Sequence, residues 1–481
     1  MSYNYLPLDR KRLSFQQVKN LLDYDQQVSI TFDAHERILQ CQKYLANKTD
    51  DGGNVVAGVD QSGNISKRAT HGFGDEVPLP VIKLVIMLKI KSLSYGQSGV
   101  QIETVKRLMK MYNKGVFPVI YADATTSVSG GGGTRGRLAL PLIGLTEVWY
   151  QGQKKASADV MRELQWQPLQ LQQHEFPALS SGSQMITAYG MYVLKKTEHL
   201  LQVSNVVAAL SFDVLGLRLD ELEGQAEIGT DRKGEQQVAQ TILQYLQEGG
   251  RSQGGKQPGR NPSSFNCVPE IHGAVKDQLE TVLNLFLAEI NSVSEIPRYL
   301  PEQDLVLTSR NRVGYPLVLA FDMLVLAMSA MSNISERRIN RLSAILRSGP
   351  DENRAKELLP LQSLWLVAAN INAEIKQMTV PASAKFISIE DGDEDFELPQ
   401  NFGGPHSLRV IGLVEKVVGI ELLISALAGE RLEPNEKSPF LKQFTAELQR
   451  QVSFEKDNLA SPDLLNQVTQ FITGYRFKPV S

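Results

Sequence analysis

The sequence predicts a mainly α-helical protein in which a loop-rich N-terminal domain precedes a long antiparallel helical bundle. Beyond about Ser157 helical periodicity dominates: Val275, Leu279, Val282, Leu283, Phe286, Leu287 and Ile290 recur at three- and four-residue steps and share one helical face. Before about Tyr150, short apolar runs are broken by turn-forming clusters, Asp51-Gly-Gly-Asn54, Ser62-Gly-Asn64 and the tract Gly130–Gly133. The division is drawn at residues 1–200 and 201–481.

In chain order, Val318–Met331, Ile334–Leu346, Leu361–Ile375, Leu408–Leu427 and Pro439–Val452 also read as helices. Pro381, Pro399 and Pro405 mark the connections, because proline cannot donate a helical hydrogen bond. An antiparallel bundle is the economical packing for so many long helices. The most apolar run, Pro316–Met331, carries Asp322 and is short for about 30 Å of hydrocarbon at about 1.5 Å rise per residue, so it reads as a helix surrounded by protein. Gly249–Gly259 reads as a flexible excursion and Ile389–Glu397 as a solvated acidic turn. No solenoid-period repeat is visible.

Fifty basic and 53 acidic residues leave a net charge of −3, too little for a field that recruits nucleic acid or an anionic membrane. The two cysteines, Cys41 and Cys267, lie far apart in sequence, which suits a reducing compartment and supports no disulfide framework. The stretch following Met1 lacks the apolar centre of a signal peptide, and the expected location is cytoplasmic. No histidine, cysteine and carboxylate spacing suggests a metal site.

A series of short motifs keeps its order along the chain: Gly72-Phe-Gly74, Lys91-Ser-Leu-Ser-Tyr-Gly96, Leu138-Ala-Leu-Pro-Leu-Ile-Gly144, Ala178-Leu-Ser-Ser-Gly-Ser-Gln184, Cys267-Val-Pro-Glu-Ile-His-Gly273, Glu289-Ile-Asn-Ser292, Asn333-Ile-Ser-Glu-Arg-Arg338 and Pro381-Ala-Ser383. Together they resemble the histidine and phenylalanine ammonia-lyases, from roughly Val55 to Leu427. The resemblance implies a domain built around a methylidene-imidazolone (MIO), an electrophile formed when an Ala-Ser-Gly tripeptide cyclises on itself, followed by a helical bundle. It also implies a homotetramer whose active sites draw loops from three subunits.

The MIO position is occupied by Val128-Ser129-Gly130. Ser129 and Gly130 supply the two essential atoms, but the β-branched Val128 crowds the carbonyl under attack, and the following glycines make a compressed loop costly to hold. Cyclisation is disfavoured, so no cofactor is expected beyond this self-derived group. Four further departures fall where the resemblance implies substrate and proton handling. Lys67 stands at a catalytic tyrosine, and Ser181 at an asparagine that contacts the cyclised group. Ser263 and Asn266 stand at a tyrosine and a carboxylate-binding arginine. Arg312 and Val313 follow Asn311 in place of Phe-His. Glu394 keeps an acidic position.

Lys67, His71, Arg135, Arg137 and Arg312 introduce cationic or titratable groups around what should be one cavity, a composition suited to an anionic ligand. The catalytic candidates are Ser129, Lys67, His71 and Glu394. The binding candidates are Arg312, Asn311, Arg135, Ser263, Asn266 and Ser181. Each also has a plain reading: the glycine tract as a connector, His71 and Lys67 as solvated loop residues, His272 as a structural hydrogen-bonding group. The leading functional expectation is a lyase-fold protein without orthodox MIO-dependent ammonia elimination that binds, and transforms by altered chemistry, a small anionic or amino-acid-like substrate. A non-catalytic binding or scaffolding homologue, and an active ammonia-lyase with a Val-Ser-Gly-derived MIO, are the alternatives.

Overall fold

A computed structural model describes residues 5–50, 74–122, 138–172, 174–227, 232–247, 260–295, 297–308, 314–347, 359–384, 403–431, 438–452 and 461–477. The segments Gly249–Gly259 and Ile389–Glu397 lie outside the described residues. The chain divides into two compact units: Met1–Tyr192 with Leu283–Ala320 and Ala382–Pro405, and Val193–Val282 with Phe321–Pro381 and His406–Ser481.

The first unit is organised on the helix Leu79–Leu93, whose residues from Val81 onward are buried apart from Lys83. Its sequence, LPVIKLVIMLKIKSL, is apolar on every side and so shows no helical period. Pro80 sits in its first turn, where the absent N–H costs no intrahelical bond. Against it packs the amphipathic helix Ile102–Lys114, which buries Ile102, Val105, Leu108 and Met111 and stops at Gly115 in the left-handed conformation. The chain then enters a three-stranded antiparallel sheet of Phe117–Pro118, Glu147–Tyr150 and Gln153–Ala156, with Phe117 opposite Trp149 and Tyr150 opposite Gln153. Its two-residue hairpin turn, Gln151-Gly152, has positive φ at both positions, which matches the twist of the flanking strands. Leu6–Leu8 pairs in parallel with Val28–Ile30.

Two lysines of the Leu79–Leu93 helix are almost wholly buried, and a buried ammonium must find partners within the protein. Lys91 donates to the backbone oxygens of Asp9 and Lys11 and to the Tyr95 hydroxyl, fixing the N-terminal segment to the helix. Burial, with no carboxylate among these partners, draws its pKa down to about 8. Lys89 is part of the site described below.

The second unit is built from long helices. Tyr315–Arg347 is one continuous helix where the sequence reads two, Val318–Met331 and Ile334–Leu346. The intervening Ser332-Asn333 neither caps nor breaks it, because both side chains bond across to Asn372 of the helix Leu359–Gln377: Ser332 Oγ to Asn372 Oδ1 at 3.0 Å, and Asn372 Nδ2 to Asn333 Oδ1 at 2.9 Å. Trp365 Nε1 reaches Glu336 at 3.1 Å on the same pair, so the two helices run antiparallel. Of the most apolar 18-residue window of Tyr315–Ala344, 61% is buried within the structure, as a core helix requires.

At the centre of this unit Arg338 and Glu421 form a fully buried ion pair, Nε to Oε1 at 2.6 Å and Nη2 to Oε2 at 2.8 Å. The carboxylate also accepts from Ser211 and Ser335, whose short hydroxyls satisfy its remaining lone pairs in the space between helices. The helices Lys233–Gln247 and Val268–Ile290 approach until their backbones touch. A Cβ on Gly273 would overlap the backbone nitrogen of Glu235, and one on Gly234 the carbonyl oxygen of Gly273. The glycine that ends the Cys267–Gly273 motif is therefore a requirement of packing.

Gly273→Val is expected to cost about 3 kcal/mol in urea unfolding through overpacking. Gly224→Ala, on an open helical position, is expected to add about 0.5–1 kcal/mol. Equal effects at the two positions would contradict the close approach.

Candidate functional site

Of the sequence candidates, Lys67, His71, Val128, Ser129, Gly130, Arg135, Asn311, Arg312 and Glu394, together with Arg137, lie outside the described residues. Ser181, Ser263 and Asn266 are described, the first in one compact unit and the other two in the second.

Ser181 belongs to the first unit and ends the short helix Glu175–Ser180. That helix is fixed at its start by Glu175, whose fully buried carboxylate accepts from the Gln101 and Gln172 N–H groups and from the Thr104 hydroxyl, at 2.9, 2.9 and 2.8 Å. At its end the Ser181 N–H donates to Pro177 O. The carbonyl oxygens of Ala178 and Ser181 both accept from Lys89 Nζ, at 3.1 and 2.7 Å. Lys89 is paired in turn with Glu295 at 3.1 Å, both side chains being 1% exposed. Glu295 accepts from Gln184 Nε2 at 2.7 Å and from the Ser92 hydroxyl. The next residues along, Ser183 and Ser294, bond to one another at 2.9 Å, and Ser183 Oγ also donates to Glu289.

Beside this network is a small cavity of about 20 Å³, lined among others by Lys89, Ser181, Gly182, Gln184, Ile120 and Leu138. Its size admits one water molecule. Ile120 and Leu138 stand on the two sides of the glycine-rich segment in sequence.

Lys89, Gln184 and Glu295 were not among the sequence candidates. The available signal was a charge within an apolar run, Leu88-Lys-Ile-Lys91, which has to be compensated if the run is buried.

Ser263 and Asn266 belong to the second unit, on the four-residue helix Ser263–Asn266 that follows Pro262. The helix is anchored by Phe265, fully buried and edge-on to Phe212 at 5.2 Å. Ser263 is exposed. Asn266 is half-buried: its Nδ2 donates to Asn261 O at 3.4 Å, and its carbonyl accepts from Gln225 Nε2 at 3.1 Å. Ser263 borders an open groove of about 630 Å³ that Ser264 and Cys267 line on the same side, and Asn333, Arg337 and Arg341 of the Tyr315–Arg347 helix on the other. Arg337 holds Glu336 through Nε at 2.6 Å and through Nη2. Within the same stretch the chain divides its labour: Ser335 and Arg338 turn into the core, while Arg337 and Arg341 are exposed.

His272 is fully buried and pairs through Nδ1 with Asn205 Oδ1 at 2.7 Å. Its pKa is held well below the ordinary histidine value, first by burial and second by the charge of Arg338. It is a neutral structural group.

A sequence profile described as aromatic amino acid lyase matches residues 13–450. The histidine ammonia-lyase of Symbiobacterium thermophilum is 29% identical over 397 residues, covering 81% of this chain and 78% of that one. Histidine ammonia-lyase 2 of Fusobacterium nucleatum is 26% identical over 494 residues, with 97% and 96% covered. Among solved structures, the histidine ammonia-lyase of Trypanosoma cruzi superposes with a TM-score of 0.83 at 23% identity, covering 97% of this chain and 92% of that one. The ergothionase of Treponema denticola superposes with a TM-score of 0.86 at 19% identity, covering 97% and 98%.

Because His272 must stay neutral in the folded state while it protonates near its ordinary value when unfolded, the unfolded chain binds the extra proton and stability falls as pH drops below about 6.5. Between pH 6 and 5 the unfolding free energy of the natural chain is expected to fall more steeply than that of His272→Gln, by up to about 1.4 kcal/mol per pH unit. Identical slopes would contradict a buried neutral imidazole.

Proposed function

Since the chain belongs to the aromatic amino acid lyase family, we propose that it binds a small anionic or amino-acid-like molecule in the family's pocket and does not carry out orthodox MIO-dependent ammonia elimination. The observation that carries this reading is Asn266. Where the resemblance implies a guanidinium for the substrate carboxylate, this chain has a neutral amide whose donor bonds within its own loop. Such an amide supplies neither the charge nor the paired donors that grip a carboxylate. Three other positions support the same reading: Ser263 has no phenol, Lys67 stands at the second tyrosine, and Val128 crowds the carbonyl that cyclisation must attack.

The residue at the position that the resemblance implies beside the electrophile supports the same reading. Ser181 replaces an amide that would contact it, and the carbonyl of the same residue is taken by the buried ammonium of Lys89. No step is therefore routed through an imidazolone. What the described residues can do is hold a fixed polar wall, with Lys89 and Glu295 neutralising one another behind Ser181.

Ser181 lies in one compact unit and Ser263 with Asn266 in the other. The reading includes a homotetramer that completes each site from several subunits, as the resemblance implies. Leu326, Leu366 and Val367 are 52%, 54% and 38% exposed on two helices of the second unit, apolar surface of the kind that subunit association covers. It also includes a cytoplasmic location, in keeping with the cysteine usage.

The test is incubation of the purified protein with L-histidine, L-phenylalanine and L-tyrosine, with acrylate formation followed by absorbance and binding by calorimetry. The expected result is measurable binding of at least one amino acid or its acrylate, with turnover at least about 10⁴-fold below that of an active histidine ammonia-lyase, the combined effect of a missing general base and a missing carboxylate clamp. Turnover at a normal lyase rate would overturn the proposal.

A further inference from the structure

Residues 9–13 join the strand Leu6–Leu8 to the helix Phe15–Asp23 and pass over the end of the Leu79–Leu93 helix as a strap held from two sides. On one side Lys91 Nζ donates to the carbonyl oxygens of Asp9 and Lys11, the second at 3.0 Å. On the other, Asn291 brackets Leu13: its Oδ1 accepts from the Leu13 N–H at 2.6 Å and its Nδ2 donates to the Leu13 carbonyl at 3.0 Å. Tyr95 joins the two sides, because its hydroxyl accepts from Lys91 at 3.2 Å and donates to Asn291 O at 3.0 Å. The ring of hydrogen bonds is closed. Asn291 leads into Ser294 and Glu295, which hold Ser183 and Lys89 beside Ser181.

Lys91 is 2% exposed, and two of its three acceptors belong to the strap, so lifting the strap is the motion that gives its amine to water. All three acceptors are neutral, and a buried ammonium without a carboxylate contact lacks the solvation it has in water. Of the charges around it, the Asp9 carboxylate favours the ammonium and the Arg37 guanidinium of the helix Phe32–Asp50 opposes it. Arg10 and Arg12 act on the Tyr95 hydroxyl, and Asp33 acts on Arg37. The carboxylates of the segment beyond Leu287 are committed elsewhere, Glu289 to Ser183 and Glu295 to Lys89.

We propose that the strap is a proton-linked latch, which opens as Lys91 takes a proton from solvent and closes as Lys91 returns it. The inference goes beyond the functional reading above and does not rest on it. A neutral amine suits the closed strap: it keeps two N–H donors for the Asp9 and Lys11 carbonyls and gains a lone pair that can accept from the Tyr95 hydroxyl. With the strap closed Lys91 titrates at about 8, and with it open near the ordinary lysine value of about 10.4. Between those values the open form carries the extra proton, so raising the pH favours the closed form. Burial holds Tyr95 and Cys41 above their ordinary values, so neither loses its proton in the lower part of this window.

The strap carries three consecutive exposed tryptic sites, Arg10, Lys11 and Arg12, and a protease that cuts slowly reports the population of the lifted form. The experiment is brief trypsin digestion of the intact protein from pH 7 to pH 9.5, with the initial rate of cutting at these sites read by mass spectrometry. Each rate is divided by that of a free peptide spanning Leu8–Phe15 at the same pH, which removes the protease's own pH dependence. The expected result is a ratio that falls about tenfold between pH 8 and pH 9.5 in the natural chain and stays flat in Lys91→Met. If Lys91→Met does not fold, Lys91→Gln, which keeps an amide donor, serves as the comparison. A ratio that is flat or rises with pH in the natural chain overturns the latch. So does a fall that persists without Lys91, which would assign the effect to another group such as the α-amine of Met1. Absence of cutting at these three sites at every pH, while sites elsewhere are cut, shows a strap that does not lift and overturns the proposal as well.

Discussion

The buried pair of Lys89 and Glu295 sets the geometry of the first unit's site. An ion pair taken out of water gives up solvation that its mutual attraction only partly offsets, and a well-packed apolar pair of similar volume would hold the helices about as firmly. What the pair provides is position. Lys89 Nζ binds two carbonyls at the end of the Glu175–Ser180 helix, and Glu295 binds the side chains of Ser92 and Gln184. Three segments distant in sequence, at residues 89–92, 178–184 and 295, are thereby held to one another, and Ser181 has its place because they are. In the second unit Arg338 and Glu421 have the corresponding role, with serines as the secondary partners.

Much of this was legible in the sequence because one-sided helices announce themselves. Val275 to Ile290 sits in the helix Val268–Ile290, and Leu408 to Leu427 within Gly403–Arg431. Periodicity failed where a helix is buried on every side, as in Leu79–Leu93, since an apolar run without a polar face carries no phase. It also misjudged Ser332-Asn333. Local propensity treats such a pair as a break, but the bonds to Asn372 belong to the tertiary structure. The ordered motifs directed attention to Ser181, Ser263 and Asn266, which fall among the described residues. They could not indicate Lys89 or Glu295, whose importance arises only when the chain brings positions 206 residues apart into contact.

The two buried ion pairs share one physical property. Charges that are matched and enclosed, Lys89 with Glu295 and Arg338 with Glu421, fix structure and have little left to offer a ligand. The family's scaffold is retained in this chain while several of the positions that resemblance assigns to substrate chemistry carry other residues. The proposed loss of the electrophile does not require loss of the scaffold, because different residues support them.

The most direct measurement is the mass of the purified protein, and of the proteolytic peptide containing Val128-Ser129-Gly130. An unmodified chain, with both masses equal to those calculated from the sequence, is the expected result. Masses lower by two water molecules would mean that the tripeptide has cyclised despite Val128, and would contradict the proposal that this lyase scaffold lacks its usual electrophile.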